Sequence, residues 1–114
     1  IIKEAYKAAD ELAKENISCE IIDLRTVRPM DTEAILNSVK KTNRLVILEE
    51  AWPFGNVSTE ITFQVQSLAF DYLDAPIEKI NTADTPAPYS PVLLKEWLPN
   101  SEDVINAVKK VLYK

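Results

Sequence analysis

The stretch Leu45-Val46-Ile47-Leu48-Glu49-Glu50-Ala51-Trp52-Pro53-Phe54-Gly55 decides how the rest of the chain is read. Its four consecutive apolar residues suit a short strand covered on both faces, as in a parallel sheet with helices above and below. The two acids follow where that strand leaves the sheet, the end at which open α/β folds gather their functional loops. Neighbouring strand residues point to opposite faces, so Glu49 and Glu50 are poorly placed to act as an acid/base pair on one substrate. The alternative has one carboxylate accepting hydrogen bonds from loop amides and the other meeting solvent. Trp52, Pro53 and Phe54 have two readings as well: a cover over the local core, or an aromatic anchor in a subunit interface.

Outward from this stretch, helices alternate with short apolar runs. Apolar groups at Ile2, Ala5, Tyr6, Ala9, Leu12 and Ala13 mark one face of a helix from Ile2 to about Glu15, with Asn16 as its stop. Cys19 to Leu24 reads as a strand, and Arg25 to Met30 as a loop, because Pro29 keeps Arg28 out of helical geometry. Asp31 is an N-cap for a helix through about Lys40, with Glu33 near its positive end and Lys40 and Lys41 near its negative one. A helix from Val57 or Ser58 to Leu68 is expected to turn Ile61, Val65 and Leu68 inward, and Ile77 to Ile80 forms a short strand. Three prolines between Thr82 and Pro91 favour an extended, ordered surface loop. Ser90-Pro91 starts a short helix to about Trp97, and Ser101 is read as the cap of a last helix with Val104, Ile105, Val108, Val111 and Leu112 on one face. The pattern is that of one α/β domain over residues 1–114, with three layers (α/β/α) around a small, mainly parallel sheet.

Composition removes several functions. The 114 residues carry a net charge of −5, with basic side chains scattered, so a phosphate-tracking surface is not expected and basic protein partners are favoured. No apolar stretch approaches the roughly 20 residues that span a bilayer. There is no histidine and only one glycine. Imidazole is the commonest acid or base near neutral pH, and phosphate cradles need several glycines, so an autonomous active site of a familiar kind is hard to build here. No catalytic, cofactor-binding or metal-ligating residue is therefore assigned. Cys19 reads as a small core residue. Arg25 and Arg28 either clamp an anion or pair with Asp23, Asp31 or a partner subunit.

Several blocks carry a resemblance: Ile21 through Asp31 (IDLRTVRPMD from Ile22), Val46 through Glu50 with Trp52-Pro53 and Gly55, Thr59-Glu60-Ile61, Phe70-Asp71-Tyr72-Leu73-Asp74-Ala75-Pro76, and Asp84-Thr85-Pro86 with Pro88-Tyr89. Together they resemble the transketolase C-terminal-like domain of the β subunit of the pyruvate dehydrogenase first component. The first block is shared broadly among thiamine-diphosphate enzymes, while FDYLDAP resembles the pyruvate branch more than the branched-chain 2-oxo acid branch; a branched-chain 2-oxo acid or acetoin dehydrogenase β subunit is the alternative.

The resemblance implies a parent enzyme that decarboxylates pyruvate and acetylates lipoyl groups. Thiamine diphosphate and magnesium would be held outside this domain, and the domain alone would be inactive. It implies an α2β2 assembly, with an α subunit and a second β subunit as partners, in the cytoplasm or the mitochondrial matrix. It also implies a contact with the subunit-binding domain of the dihydrolipoyl acetyltransferase, made by Asp74 and the carboxylate of Lys114. Two neighbouring carboxylates suit an arginine or lysine. Family members end on an apolar residue where this sequence has Lys114, and they place two further strands before the first helix, one of them central to the sheet. The expectation that follows is a domain truncated at its N-terminus, in which Cys19–Leu24 and Leu45–Glu49 do not pair directly, or pair only through a strand from elsewhere. A reading of another class keeps a stand-alone module with a small-ligand site near Glu49 and Arg25.

Overall fold

A computed structural model describes residues 1–25 and 28–114; Thr26 and Val27 of the loop before Pro29 lie outside the described residues. The elements run α1 (Ile2–Ala13), α2 (Thr32–Thr42), β1 (Val46–Leu48), α3 (Val57–Ala69), a 3-10 turn (Phe70–Tyr72), β2 (Glu78–Ile80), α4 (Pro91–Trp97) and α5 (Ser101–Val111). Strands β1 and β2 pair in parallel, with Val46 opposite Glu78, Ile47 opposite Lys79 and Leu48 opposite Ile80.

The two-residue period of β1 distributes its side chains between two helical layers. Ile47 packs with Ile35 and Val39 of α2 and with Ile61, Val65 and Ala69 of α3. Val46 and Leu48 point the other way, against a second cluster made by Ala8 of α1, Ile80 of β2 and Val104 and Ala107 of α5. The apolar run around β1 is therefore covered on both faces, and the architecture is the three-layer α/β/α arrangement.

Helix ends follow local chemistry. Asn16 and Asn43 adopt positive φ (64° and 66°), stopping α1 and α2, and Ile17 N–H returns to the Leu12 carbonyl at 3.0 Å. The Asp31 side chain accepts from Ala34 N–H at 3.1 Å, as an N-cap does. Helix α5 starts differently from the sequence expectation. Its cap is Asn100, which forms a reciprocal capping box with Asp103, while Ser101 N–H donates to the Glu4 carboxylate of α1 at 2.8 Å. Ser90 precedes Pro91 as expected but makes no side-chain capping bond. Leu68 is exposed rather than inward; Ala69, one position on, takes the buried place on α3.

The largest difference concerns residues 17–24. They form neither helix nor strand and carry no strand pairing, and Cys19 is exposed rather than in the core. Leu45 and Glu49 direct their backbone groups to β2, through Glu78 N–H to Leu45 O at 3.3 Å and Glu49 N–H to Ile80 O at 3.0 Å. In a parallel ladder the intervening Val46 and Leu48 then turn their N–H and C=O groups to the opposite edge. Among the described residues no hydrogen bond joins that edge to residues 17–24. A cavity of about 550 Å³ separates them, lined by Ile17 and Ile21 on one side, Val46 and Leu48 on the other, and Val57 and Val108 from the two helical layers. Packed interiors hold few voids larger than a water molecule, so this slot is a packing defect of the domain.

Candidate functional site

At the C-terminal end of β1, Glu49 continues the alternation begun by Ile47 and reaches the first turn of α3. Its carboxylate accepts from the buried Ser58 hydroxyl at 2.5 Å, from Ser58 N–H at 3.3 Å, and from Asn81 Nδ2 at 2.8 Å beyond β2. Glu50 faces the opposite way and is exposed. The two acids are thus split between structure and solvent. Glu49 is fully used in holding a helix N-terminus to two strand ends, where a negative charge is favourable. Arg25 pairs with Asp23 at 3.7 Å in a highly exposed position, and Arg28 is exposed. Glu49 and Arg25 are not drawn into a common ligand site.

The Trp52–Gly55 turn projects from the same end. Trp52 Nε1–H donates to the Thr85 carbonyl at 2.8 Å, and Trp97 Nε1–H reaches that same oxygen at 2.9 Å. Lys79 Nζ donates to the Pro53 carbonyl at 2.8 Å and to Thr59 Oγ1 at 3.1 Å. Asn56 Nδ2 binds the carbonyls of Trp52 and Phe54. Gly55 sits at φ 67°, the conformation that a side chain would resist. On this rigid base Phe54 stands 88% exposed and Trp52 49% exposed. Asn56 directly after the glycine is a turn-and-cap signal visible in the sequence; nothing in the spacing announces Lys79, Asn81 or Thr85.

Asp74 lies on the far side, in the turn between the 3-10 element and β2. Its N–H donates to the Asn43 carbonyl at 2.8 Å, and its carbonyl accepts from the Tyr113 hydroxyl at 3.4 Å. Arg44 Nη1 lies 3.8 Å from Asp74 Oδ2, while Arg44 Nε donates to the Val111 carbonyl at 2.9 Å. Asp74 is thereby brought beside the end of α5, the segment that carries Lys114. Arg44 was not singled out in the sequence, since a lone arginine before a strand has no signature. The exposed aromatic side chains include Phe63 on α3 and Phe70 at the start of the 3-10 turn, and Lys40 Nζ stands 5.5 Å over the Tyr72 ring.

Among the described residues no three histidine, cysteine, aspartate or glutamate side chains converge to hold a metal ion. The donor set does not suit thiamine diphosphate either: Glu49 is consumed by Ser58 and Asn81, and the single glycine lies in an exposed turn. No helix of the described residues is long and apolar enough to cross a membrane.

Residues 1–104 match the family described as "Transketolase, C-terminal domain". The chain belongs to the transketolase C-terminal domain family. Among curated relatives, the pyruvate dehydrogenase E1 component subunit beta of Rickettsia felis is 54% identical over 112 residues, covering 98% of this chain and 34% of the relative. The mitochondrial E1 subunit beta of Dictyostelium discoideum is 48% identical, covering 97% of this chain and 31% of that protein. A solved structure described as a split-gene transketolase, inactive β4 tetramer, superposes with a TM-score of 0.84 at 25% identity, covering 97% of this chain and 36% of that one. The chain thus spans about a third of the length of the relatives it matches. Membership of the transketolase C-terminal family accounts for the parallel β1–β2 pair and the helical layers on either side of it.

Proposed function

We propose that this domain is the assembly and docking part of the β subunit of a pyruvate dehydrogenase first component. The relatives named as such support the pyruvate assignment over a branched-chain 2-oxo acid or acetoin enzyme. Thiamine diphosphate, when bound to the parent enzyme, supplies decarboxylation and acyl transfer; its site lies outside this domain, which contributes shape and partner contacts in an α2β2 assembly. Asp74, together with the segment that carries Lys114, grips basic residues of the acetyltransferase's subunit-binding domain, and Trp52, Pro53 and Phe54 make subunit contact.

The observation that carries the docking reading is the meeting of Asp74 with the end of α5 through Arg44 and Tyr113. This supports a docking face at the Asp74 turn and the end of α5, and a carboxylate binds guanidinium through short, charge-assisted bonds. The slot beside β1 supports a second element of the reading: it receives a strand supplied by the rest of the parent subunit. Such a strand would pair with the free groups of Val46 and Leu48 and fill the apolar gap. The small-ligand alternative has less support, because the carboxylate it requires at Glu49 is already committed.

The assembled parent enzyme, assayed with pyruvate and with branched-chain 2-oxo acids, tests the substrate. Turnover of pyruvate with little turnover of the branched acids is expected; the reverse preference overturns the pyruvate assignment.

A further inference from the structure

Arg44 joins two segments that are distant in sequence. Its side chain is 32% exposed, against 57% for Asp74. The Val111 carbonyl it binds belongs to the last turn of α5, where carbonyls have no helical partner and a positive charge is favourable. Around it, Asn43 holds the Asp74 backbone N–H, and Tyr113 holds the Asp74 carbonyl. Residues 43–44, 74 and 111–113 therefore form one knot with the guanidinium at its centre.

The Asp74 carboxylate is oriented by this knot but not consumed. At 3.8 Å the Arg44–Asp74 contact is an ion pair longer than a direct hydrogen bond, and only one carboxylate oxygen is engaged. With Nε fastened to Val111, the side-on fork of Nε and Nη is committed elsewhere, and Nη1 meets the carboxylate through one oxygen. We infer that Arg44 is a positioning residue of the docking site. It clamps the α5 end against the Asp74 turn and presents the open side of the Asp74 carboxylate to a guanidinium or ammonium group of the partner. This inference rests on the docking role of Asp74 proposed above.

A competing role predicts the opposite sign. Were Arg44 only an internal cation occupying the receptor, its removal would tighten the grip on a basic partner. A purely structural role would weaken binding without regard to Asp74. A lysine at this position keeps the charge but cannot reach both Val111 and Asp74 with a planar fork.

The test uses the assembled α2β2 parent and the isolated subunit-binding domain of its acetyltransferase, with binding followed by surface plasmon resonance. Arg44→Met and Arg44→Lys are each expected to weaken binding about tenfold, mainly through faster dissociation. In the Asp74→Asn background, Arg44→Met is expected to add less than about twofold, because the residue acts through Asp74. Tighter binding by Arg44→Met, unchanged binding, or a full additive loss on top of Asp74→Asn would overturn the assignment. A parent in which Asp74→Asn itself has no effect removes the docking reading and the role of Arg44 with it. Sensitivity at Asp74 without sensitivity at Arg44 removes the Arg44 inference alone.

Discussion

Glu49 and Ser58 are bound twice: one carboxylate oxygen of Glu49 accepts the Ser58 hydroxyl at 2.5 Å, and the other accepts the Ser58 backbone N–H at 3.3 Å. Asn56, the residue at the N-cap of α3, turns its amide back into the Trp52–Phe54 turn and makes no capping bond to the helix. Glu49 does that work from a distance, tying the end of β1 to the start of α3, with Asn81 extending the tie past β2.

Glu49→Gln keeps the volume but turns an N–H₂ donor toward groups that need an acceptor. The substitution is expected to lower stability by about 1–3 kcal/mol, the usual penalty for leaving buried donors unmet. Urea unfolding of the chain measures it; a midpoint equal to that of the unchanged chain would show that the tie is dispensable.

Phe54 is held out by the turn and Trp52 is held in by Thr85, so the two aromatics separate in their effects. Phe54→Ala is expected to leave unfolding within about 0.5 kcal/mol, as exposed positions do. In the assembled parent the same change is expected to weaken subunit association, seen by analytical ultracentrifugation on dilution. Dissociation unchanged from the unsubstituted enzyme would take Phe54 out of the interface.

How much of this was legible follows from what each residue depends on. Asp31, the Asn16 stop and the apolar faces of α1 and α5 act within one turn of helix, so their types in order were enough. Glu49 was readable as far as its direction, since strand alternation separates it from Glu50; its partners Ser58 and Asn81 belong to other elements and were not. Leu68 was misplaced because a helical stripe is wider than a single row, and Ala69 fits the close approach to the core better. Cys19–Leu24 has the composition of a strand, but pairing needs a neighbour, and the described chain sets a gap of about 550 Å³ there instead. Arg44 escaped because its value lies in joining Asp74 to Val111, 30 and 67 positions away in sequence.

The slot gives Cys19 a use as a reporter, since it lines that cavity and is the only thiol in the chain. Partial burial pushes its pKa above the ordinary thiol value. The reactive thiolate is therefore scarcer near pH 7 than in a free cysteine, and alkylation should accelerate as pH rises through the raised pKa. Mass spectrometry after iodoacetamide treatment should show slow modification of the isolated domain at pH 7 and faster modification at pH 9. Protection in the assembled parent is expected if a strand fills the slot; equal labelling of both would argue that the gap stays open.

The most direct test of the docking role is Asp74→Asn in the assembled parent enzyme. Affinity for the acetyltransferase's subunit-binding domain is expected to fall by roughly 2–5 kcal/mol, the scale seen when one partner of an interfacial charge pair is removed. Decarboxylation of pyruvate by the free first component should stay at its original rate. Undiminished affinity, or a matching loss of decarboxylation, would contradict the account.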